Sequence, residues 1–484
     1  MRIDKFNMIT RWDEMALMYN NLLINKNSNR YIPFLVNLIS GRRKVLTSNE
    51  FACILSMMCK ENIVDYNVEE KNLYTKFINE KQFITNQQRK TIEKHMQDKN
   101  YFVESNKSMM NSLFSIQLTQ DCNMNCPFCF ERKYADKHKQ ITKSMIDSIF
   151  DFYEFHEQAN NTSSLRPTIR VTGGEPLITQ ECVDLINYIA KKWSNADMLL
   201  YTNGSNLIEF YNQLPITRFK HIDISLDGFE DVHIHSRKPA ESAHKSIYKN
   251  IIEGIKLLIN NQVNVNIKSV LSRDNYTHFP EFVTYLHNEG ILNSSYVTLM
   301  PGIVIDYSNP LDIDESFNNI DDIFLMKDYV RSKCGYMISS FASISHIWRL
   351  ISRDDNTPFL PKSIRCNTSF LSNYYFSPNG NIYFCDCMDK DKGIIGTYYP
   401  KISLNTDIIN KLSSRSVMTN EKCKECPYKF VCLGNCPLAS IMKDEEMSCG
   451  IFAEPRILDN LEYPYYETLI QKRNLQKENQ IDTD

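Results

Sequence analysis

The distribution of cysteine constrains this chain more than any other feature of its sequence. The 484 residues include 15 Cys, and eight of these fall between residues 366 and 449, where an even spread would place fewer than three. An odd number of Cys in a long chain without a secretion signal argues against a disulfide framework. The clustered Cys are therefore expected to be metal ligands. The four scattered ones are expected to pack in the interior: Cys53, Cys59, Cys182 and Cys334.

Composition and charge narrow the class of protein. Hydrophobic residues make up 42% of the chain and charged residues 23%, and no run of about 18 apolar residues occurs. We therefore expect a cytoplasmic globular protein of several domains with no membrane partner. The 55 Lys+Arg nearly balance the 58 Asp+Glu, so the charge does not indicate a nucleic-acid partner.

The middle of the chain predicts repeated strand–helix units. Short apolar, partly β-branched runs alternate with longer segments whose apolar residues recur at helical spacing. Parallel strands joined by helical crossovers form either an open sheet or a barrel, and in both the chemistry gathers at the carboxyl ends of the strands. The six predicted strands are 112–120, 168–172, 196–202, 220–226, 263–271 and 295–300.

The first 108 residues predict a different unit. The sequence Thr47-Ser48-Asn49-Glu50 forms a capping box, which predicts that a helix begins there. Two further helices are expected around residues 73–78 and from Thr85. With short strands predicted at 6–19 and 30–38, the segment suggests a winged-helix-like unit. Such a unit could bind DNA or capture a peptide by strand addition.

Two motifs follow the first two predicted strands. Cys122, Cys126 and Cys129 stand on one loop, and three thiolates are one fewer than a closed zinc site or iron–sulfur cluster normally needs. If the loop holds a cluster, one iron is left open; the alternative is a zinc site completed by a distant residue. In the turn Gly173-Gly174-Glu175-Pro176, the glycines allow a close backbone approach and the carboxylate could accept a hydrogen bond from an ammonium group.

The order and spacing of these motifs over residues 112–301 resemble the radical S-adenosylmethionine (SAM) superfamily. Thr202-Asn203-Gly204 and Ser225-Leu226-Asp227-Gly228 continue the pattern at the next strand ends. The resemblance implies a partial (β/α)6 TIM-like barrel, with a [4Fe–4S] cluster on Cys122, Cys126 and Cys129 and with SAM on its open iron. One departure is Asn125, where relatives often carry Lys or Arg. The residues implied to contact SAM are Phe128, Gly173, Gly174, Glu175, Ser225, Asp227 and Arg237.

The C-terminal Cys group resembles the SPASM extension of peptide-modifying radical SAM enzymes, a domain that holds two auxiliary iron–sulfur clusters. A pair of zinc knuckles is the alternative. Sulfatase-maturating relatives carry a further Cys shortly before the first of the seven, but residues 335–365 contain none. Either Cys387 fills that position, or one iron stays open for a substrate thiolate. By position, the resemblance assigns Cys366, Cys385 and Cys436 to the first cluster, and Cys423, Cys426, Cys432 and Cys449 to the second.

The N-terminal unit loosely resembles the leader-recognition elements of enzymes that mature ribosomally made peptides. The expected function is therefore a radical SAM oxidoreductase that cross-links a Cys-containing precursor peptide, with a thioether as the first choice of bond. Flavodoxin or ferredoxin is the expected electron donor, and the catalytic acid or base is not identified. The alternatives are carbon–carbon or ether cross-linking, epimerisation, sulfatase maturation, and a zinc-dependent DNA-binding or scaffold protein.

The expected organisation is 1–108 for leader recognition, 109–302 for the barrel, 303–360 for a connector, 361–452 for the SPASM domain and 453–484 for a helix and disordered tail.

Overall fold

The structure is a computed structural model. It describes residues 23–24, 31–32, 34–36, 43–58, 60, 63–80, 86–96, 112–129, 131, 138–160, 167–240, 247–303, 320–336, 338, 366, 372–386, 393–424, 426, 429–442 and 445–447. The predicted strand at 6–19, the tail from 453, Cys59, Cys387 and Cys449 lie outside these residues, as does most of the predicted connector.

The centre of the molecule is a ten-stranded sheet in which six neighbouring strands, from one edge inward, are all parallel. Neighbours along the chain are also neighbours in the sheet, so each successive strand adds to the same edge. The prediction of six consecutive parallel strands, and with it the α/β class, is confirmed. These strands are β5 (Leu113–Gln117), β6 (Thr168–Thr172), β7 (Asp197–Thr202), β8 (Phe219–Ser225), β9 (Val265–Leu271) and β10 (Val297–Ile303).

Helices cover the outer face of these strands because alternate strand residues are apolar. In β9, Val265, Ile267 and Leu271 are buried against the helical layer, whereas Asn266 and Lys268 lie half-buried on the opposite, concave face. The crossover helices present matching apolar stripes. They are α4 (Lys143–Asn160), α5 (Gln180–Lys192), α6 (Leu207–Phe210), α7 (Glu230–Arg237), α8 (Ile247–Asn260) and α9 (Phe279–Asn288), followed by α10 (Ile320–Cys334).

The C-terminal region extends the same sheet beyond β5. Strand β11 (Asn373–Phe376) pairs in parallel with β5, and β12 (Asn381–Tyr383), β13 (Ile394–Thr397) and β14 (Ser403–Leu404) continue as antiparallel strands. The rings of Phe114 and Tyr374 stack with their centroids 5.5 Å apart, which packs β5 and β11 together. The predicted Cys-rich region is thus continuous with the barrel sheet. Its helices are α11 (Thr406–Ser413), α12 (Lys429–Cys432) and α13 (Pro437–Met442).

The N-terminal unit combines short strands with three helices. Its capping box is confirmed, because the Glu50 amide donates to Thr47 Oγ1 at 3.1 Å and the Thr47 amide donates to Glu50 Oε2 at 3.0 Å. Ile54, Met57 and Phe77 form its small core. The elements are β1 (Leu23–Ile24), β2 (Tyr31–Ile32), β3 (Phe34–Val36), β4 (Arg43–Val45), α1 (Ser48–Met58), α2 (Val68–Asn79) and α3 (Asn86–Met96). Among the helices the structure describes, none is long and apolar enough to cross a membrane.

Candidate cofactor-binding site at the carboxyl edge of the sheet

The three-Cys loop leaves the carboxyl end of β5 and is tied to the end of α7. The Asn125 amide donates to the Lys238 carbonyl at 2.9 Å, and the Ala240 amide donates to the Asn123 carbonyl at 2.9 Å. Met124 also forms a β-bridge with Pro239. These backbone bonds fix the loop whatever its side chains bind, so the thiols are held at the edge where barrel chemistry gathers.

The three thiols share one electrostatic environment. Burial raises the pKa of Cys122 to about 12, and the Glu175 carboxylate and the other two thiols add to this increase. Burial also raises the pKa of Cys126, which the neighbouring Arg237 guanidinium partly offsets. A bound cation would favour the thiolates that this environment disfavours. Within the described residues no three Cys, His, Asp or Glu side chains converge closely enough to form a ready-made metal cage.

The glycine turn after β6 lies directly against the loop. A Cβ on Gly174 would lie 2.3 Å from the Asp121 carbonyl oxygen, and one on Gly173 would lie 2.9 Å from the Thr119 carbonyl oxygen. The Gly174 amide donates to that Thr119 oxygen at 2.8 Å, and the Glu175 amide donates to the Asp121 oxygen at 2.8 Å. Only glycine permits this contact, which holds the turn and the Cys loop together.

The Glu175 carboxylate points into the protein, contrary to the expectation that it faces an ammonium group. Its oxygens accept from the amides of Leu177 at 2.9 Å and Asn203 at 2.7 Å, and from Thr202 Oγ1 at 2.5 Å. The residue is 1% exposed, and burial raises its pKa to about 7. Glu175 therefore braces the turn from within the protein.

Asp227 and Arg237 form a buried pair rather than two separate ligand contacts. Arg237 Nε donates to Asp227 Oδ2 at 2.7 Å and Arg237 Nη2 donates to Oδ1 at 2.8 Å. The Ser236 hydroxyl and the Val270 amide also donate to this carboxylate. All of its acceptor positions are thus used within the chain. The expectation that Asp227 itself touches SAM is not supported by this geometry, because its side chain is fully buried.

Arg237 is the member of that pair that faces the Cys loop. Its guanidinium lies 5.1 Å from the centre of the Phe128 ring and donates to the Cys126 thiol. A cavity of about 610 Å³ opens beside Phe128, with Val270, Ser272 and Asn275 also in its wall. Ser225, half-buried at the end of β8, pairs in register with Lys268 of β9. The structure therefore brings Phe128, Arg237 and the loop together.

The concave face of the sheet carries a polar network that the sequence did not predict. Arg170 of β6 forms an ion pair with Asp386, with Nη2 2.8 Å from Oδ2. Its guanidinium carbon lies 5.1 Å from the centre of the Tyr201 ring. Asp223 of β8 accepts from Asn266 Nδ2 at 2.7 Å and lies 3.3 Å from the Lys268 ammonium. Polar residues at alternate positions of consecutive strands were the available signal, since they mark a wet barrel interior.

This network joins the two predicted cluster regions. The Tyr375 hydroxyl donates to Glu131 Oε1 at 2.9 Å, so strand β11 contacts a residue two positions after Cys129. Asp386, the partner of Arg170, directly follows Cys385, whose thiol lies 3.6 Å from Asp386 Oδ1. Burial raises the pKa of Glu131 to about 7. The network therefore includes a residue two positions after the three-Cys loop and a residue adjacent to Cys385.

Three of the other described Cys of the C-terminal region lie near a buried arginine. Cys436, Cys366 and Cys423 all act electrostatically on Arg415, which is 5% exposed. Cys423 Sγ also contacts Met447 Sδ at 3.8 Å. Cys426 precedes the first residue of α12 by three positions, and Cys432 is the last residue of that helix. The spacing-based assignment of these Cys to two clusters stays a prediction.

A parallel α/β barrel sheet, a thiol loop and a glycine turn at its carboxyl edge, and a polar interior define a cofactor-dependent enzyme. Residues 116–286 match the radical SAM superfamily model. The chain is 22% identical over 336 residues to a cysteine-type anaerobic sulfatase-maturating enzyme from Clostridium novyi, a match that covers 66% of this chain and 85% of the relative. It is 27% identical over 188 residues to a GTP 3′,8-cyclase from Clostridium perfringens, which covers 38% of this chain and about half, 54%, of that enzyme.

A solved structure shows the same fold over most of its length. Native anSMEcpe with bound AdoMet superposes with a TM-score of 0.52 at 16% identity, covering 75% of this chain and 99% of that one. The prediction of a radical SAM domain is confirmed by the match over residues 116–286, and the chain is similar in sequence to a sulfatase-maturating enzyme. The shared environment of the three thiols, and the cradle that only Gly173 and Gly174 allow, fit the cluster and SAM that this family uses.

Proposed function

We propose that this protein is a radical SAM maturase that cross-links a Cys-containing precursor peptide through a thioether bond. The observation that carries the proposal is the polar network of the concave face, which includes Glu131, two positions after Cys129, and Asp386, the neighbour of Cys385. A peptide bound there would lie beside both predicted redox sites. The Arg170–Asp386 pair and the Glu131–Tyr375 bond would form the wall of this reaction chamber.

In the proposal, Cys122, Cys126 and Cys129 would hold a [4Fe–4S] cluster, which together with SAM would supply a radical able to remove a hydrogen atom. The backbone of Gly173 and Gly174 would hold the methionine part of SAM. Phe128 would pack on the adenine, while Ser225 and Arg237 would bind the ribose or the carboxylate. Asp227 and Glu175 act through others: Asp227 orients Arg237, and Glu175 braces the glycine turn.

The balance of the reaction calls for a second electron acceptor. To join a thiol sulfur to carbon, the peptide loses one hydrogen atom to the radical, one proton, and one electron. We assign that electron to auxiliary clusters on Cys366, Cys385 and Cys436 and on Cys423, Cys426, Cys432 and Cys449. A donor such as flavodoxin or ferredoxin would reduce the cluster on Cys122, Cys126 and Cys129 at each turnover.

The N-terminal unit is assigned to the leader of the precursor peptide. By charge, the sequence Arg42-Arg43-Lys44 would suit an acidic leader. However, the Lys44 ammonium lies 2.8 Å from Glu50 Oε1 and 4.7 Å above the ring of Phe77. Lys44 is therefore engaged within the unit. Recognition is better assigned to strand addition at the antiparallel strand pair β3–β4, whose register pairs Phe34 with Val45.

The test is an anaerobic reaction of the reconstituted enzyme with SAM, reductant and a Cys-containing precursor. A thioether requires that each modified site loses two hydrogens in mass and one alkylatable thiol. The matched control is Cys122→Ala, which should leave the peptide unchanged. Loss of two hydrogens with the thiol retained would indicate a carbon–carbon or ether bond, and an unchanged mass with inverted stereochemistry would indicate an epimerase.

Sulfatase maturation is the second candidate, favoured by the relative from Clostridium novyi, which this chain matches over 85% of that protein's length. A sulfatase-derived Cys peptide that loses sulfur and gains an aldehyde would establish it. Metal analysis separates both enzymes from a zinc protein, because three cubane clusters predict about twelve iron atoms per chain. Cys387→Ala tests the remaining ligand: unchanged iron content would show that Cys387 is not needed.

A further inference from the structure

Arg415 is a buried cation, and within the described residues all of its hydrogen-bond acceptors are neutral. Its guanidinium donates to the backbone oxygen of Glu446, to the Gly434 oxygen at 3.0 Å and to Ser440 Oγ at 3.3 Å. The residue is 5% exposed. Within the described part of the chain, no carboxylate lies at ion-pair distance from it. Arg cannot lose its proton in a protein, so this position holds a fixed positive charge.

The groups around that charge are the predicted cluster ligands. Cys436, Cys366 and Cys423 lie close enough to it that their thiolate forms would interact with its charge. The geometry agrees, because Ser440 Oγ, which accepts from Arg415, itself donates to the Cys436 backbone oxygen at 3.1 Å. Arg415 thus lies among Cys that the sequence pattern divides between both auxiliary clusters.

A buried cation that is paired only with neutral acceptors is costly, and a nearby anion removes much of that cost. Thiols are neutral, but the same Cys bound to iron are thiolates, and an iron–sulfur centre with several thiolates carries negative charge. The net charge and hydrogen bonding around such a centre set its reduction potential. The loaded protein would therefore supply the anion that Arg415 otherwise lacks.

We propose that Arg415 is the internal counter-charge of the auxiliary iron–sulfur clusters, which it stabilises and whose reduction potential it raises. The proposal rests on the auxiliary clusters of the proposed function and not on the peptide or the bond formed. It makes Arg415 a positioning and tuning residue, since it contacts no substrate and binds no metal.

The experiment measures the auxiliary clusters alone. In the full chain with Cys122, Cys126 and Cys129 replaced by Ala, the remaining clusters are titrated anaerobically and followed by electron paramagnetic resonance. Arg415→Met removes the charge at similar length and should shift the potential to more negative values. Arg415→Lys keeps the charge and should recover most of that shift. Neither SAM nor peptide is present, so the outcome is independent of the reaction catalysed.

Arg218→Met is the matched control. The Arg218 guanidinium also donates to backbone oxygens, those of Ala190 at 3.3 Å, Trp193 at 2.8 Å and Ala196 at 3.2 Å. No predicted ligand lies among these partners. The control should leave both the potential and the iron content unchanged.

Thermal unfolding provides a second measurement if Arg415→Met holds less iron. The substitution should lower the melting temperature of the iron-loaded chain more than that of the iron-free chain, because only the loaded chain loses a charge interaction. Equal losses in both forms would show a purely structural role and overturn the proposal. An unchanged potential at full iron content, or an equal shift in Arg415→Lys, would also overturn it. If the wild-type chain bound about four iron atoms instead of about twelve, the auxiliary clusters would be absent and the proposal would be overturned.

Discussion

Replacing Gly174 with Ala should loosen the Cys loop by a steric conflict that no side-chain motion can relieve. The added Cβ would lie 2.3 Å from the Asp121 oxygen, 2.6 Å from the Asp121 carbonyl carbon and 2.8 Å from the Gln120 oxygen. All three atoms belong to the backbone. Comfortable contacts between heavy atoms begin near about 3.5 Å, so the two segments must separate by roughly 1 Å.

That separation strains the bonds that hold the turn against the loop. The Glu175 amide donates to the Asp121 oxygen at 2.8 Å, and this oxygen is the one that must retreat. Overpacking costs about 1–3 kcal/mol and a lost backbone hydrogen bond about 1 kcal/mol, so we expect a loss of about 2–4 kcal/mol in the free energy of unfolding. Asp121 precedes Cys122, so the same movement should also lower the iron retained by the three-Cys loop.

Chemical unfolding and an iron assay after anaerobic reconstitution measure both effects. Gly290→Ala is the control, because Gly290 has φ +74° and a Cβ added there would have no atom within 4 Å. It should cost about 1–2 kcal/mol through its left-handed backbone and leave the iron unchanged. If Gly174→Ala unfolded with the wild-type free energy and kept the wild-type iron, the close contact between turn and loop would be wrong.

Three further substitutions test the buried network. Asp227→Asn should destabilise the protein by about 3–5 kcal/mol in urea unfolding, because it leaves Arg237 buried and unpaired. Folding lowers the pKa of Asp227, so the stability that its carboxylate contributes is present at neutral pH and is lost as the pH falls through the folded pKa. The pH dependence that Glu175 contributes has the opposite sign, because folding raises the pKa of its carboxyl to about 7. Up to about 3 kcal/mol of the free energy of unfolding is therefore lost as the pH rises from about 4.5 to 7. Glu175→Gln should flatten this slope. Arg170→Met should lower the yield of modified peptide per 5′-deoxyadenosine formed, measured by chromatography, because Asp386 loses its 2.8 Å ion pair; an unchanged ratio would exclude a role in the chamber.

The strands and the glycine turn could be predicted because their signals are local. Alternating apolar residues give each strand, and Gly173 and Gly174 report a close approach without revealing its partner. The role of Asp227 could not be predicted in this way. Its acceptor positions are filled by Arg237, ten residues further along, and by the amide of Val270 on the next strand. A strand-end carboxylate has the same local sequence whether it binds a ligand or a guanidinium.

The polar network on the concave face could not be predicted for a related reason. Glu131 and Tyr375 are separated by 244 residues, and they meet because β11 joins the barrel sheet beside β5. Nothing in the spacing of the C-terminal Cys predicts that parallel pairing. The aromatic residues of β11 gave only an indirect sign, since Tyr374 packs on Phe114 once the strands have paired.

The N-terminal unit is linked to the Cys-rich region through its third helix. Met96, at the end of α3, packs with Met447 and Val417. Glu93 on the same helix pairs with Lys429 at 2.7 Å. Met447 in turn contacts the thiol of Cys423, so a displacement of α3 would reach a predicted cluster ligand through one intervening side chain. Under the proposed function, these contacts give a leader peptide bound to the N-terminal unit a direct route to the predicted auxiliary-cluster region that does not run through the barrel.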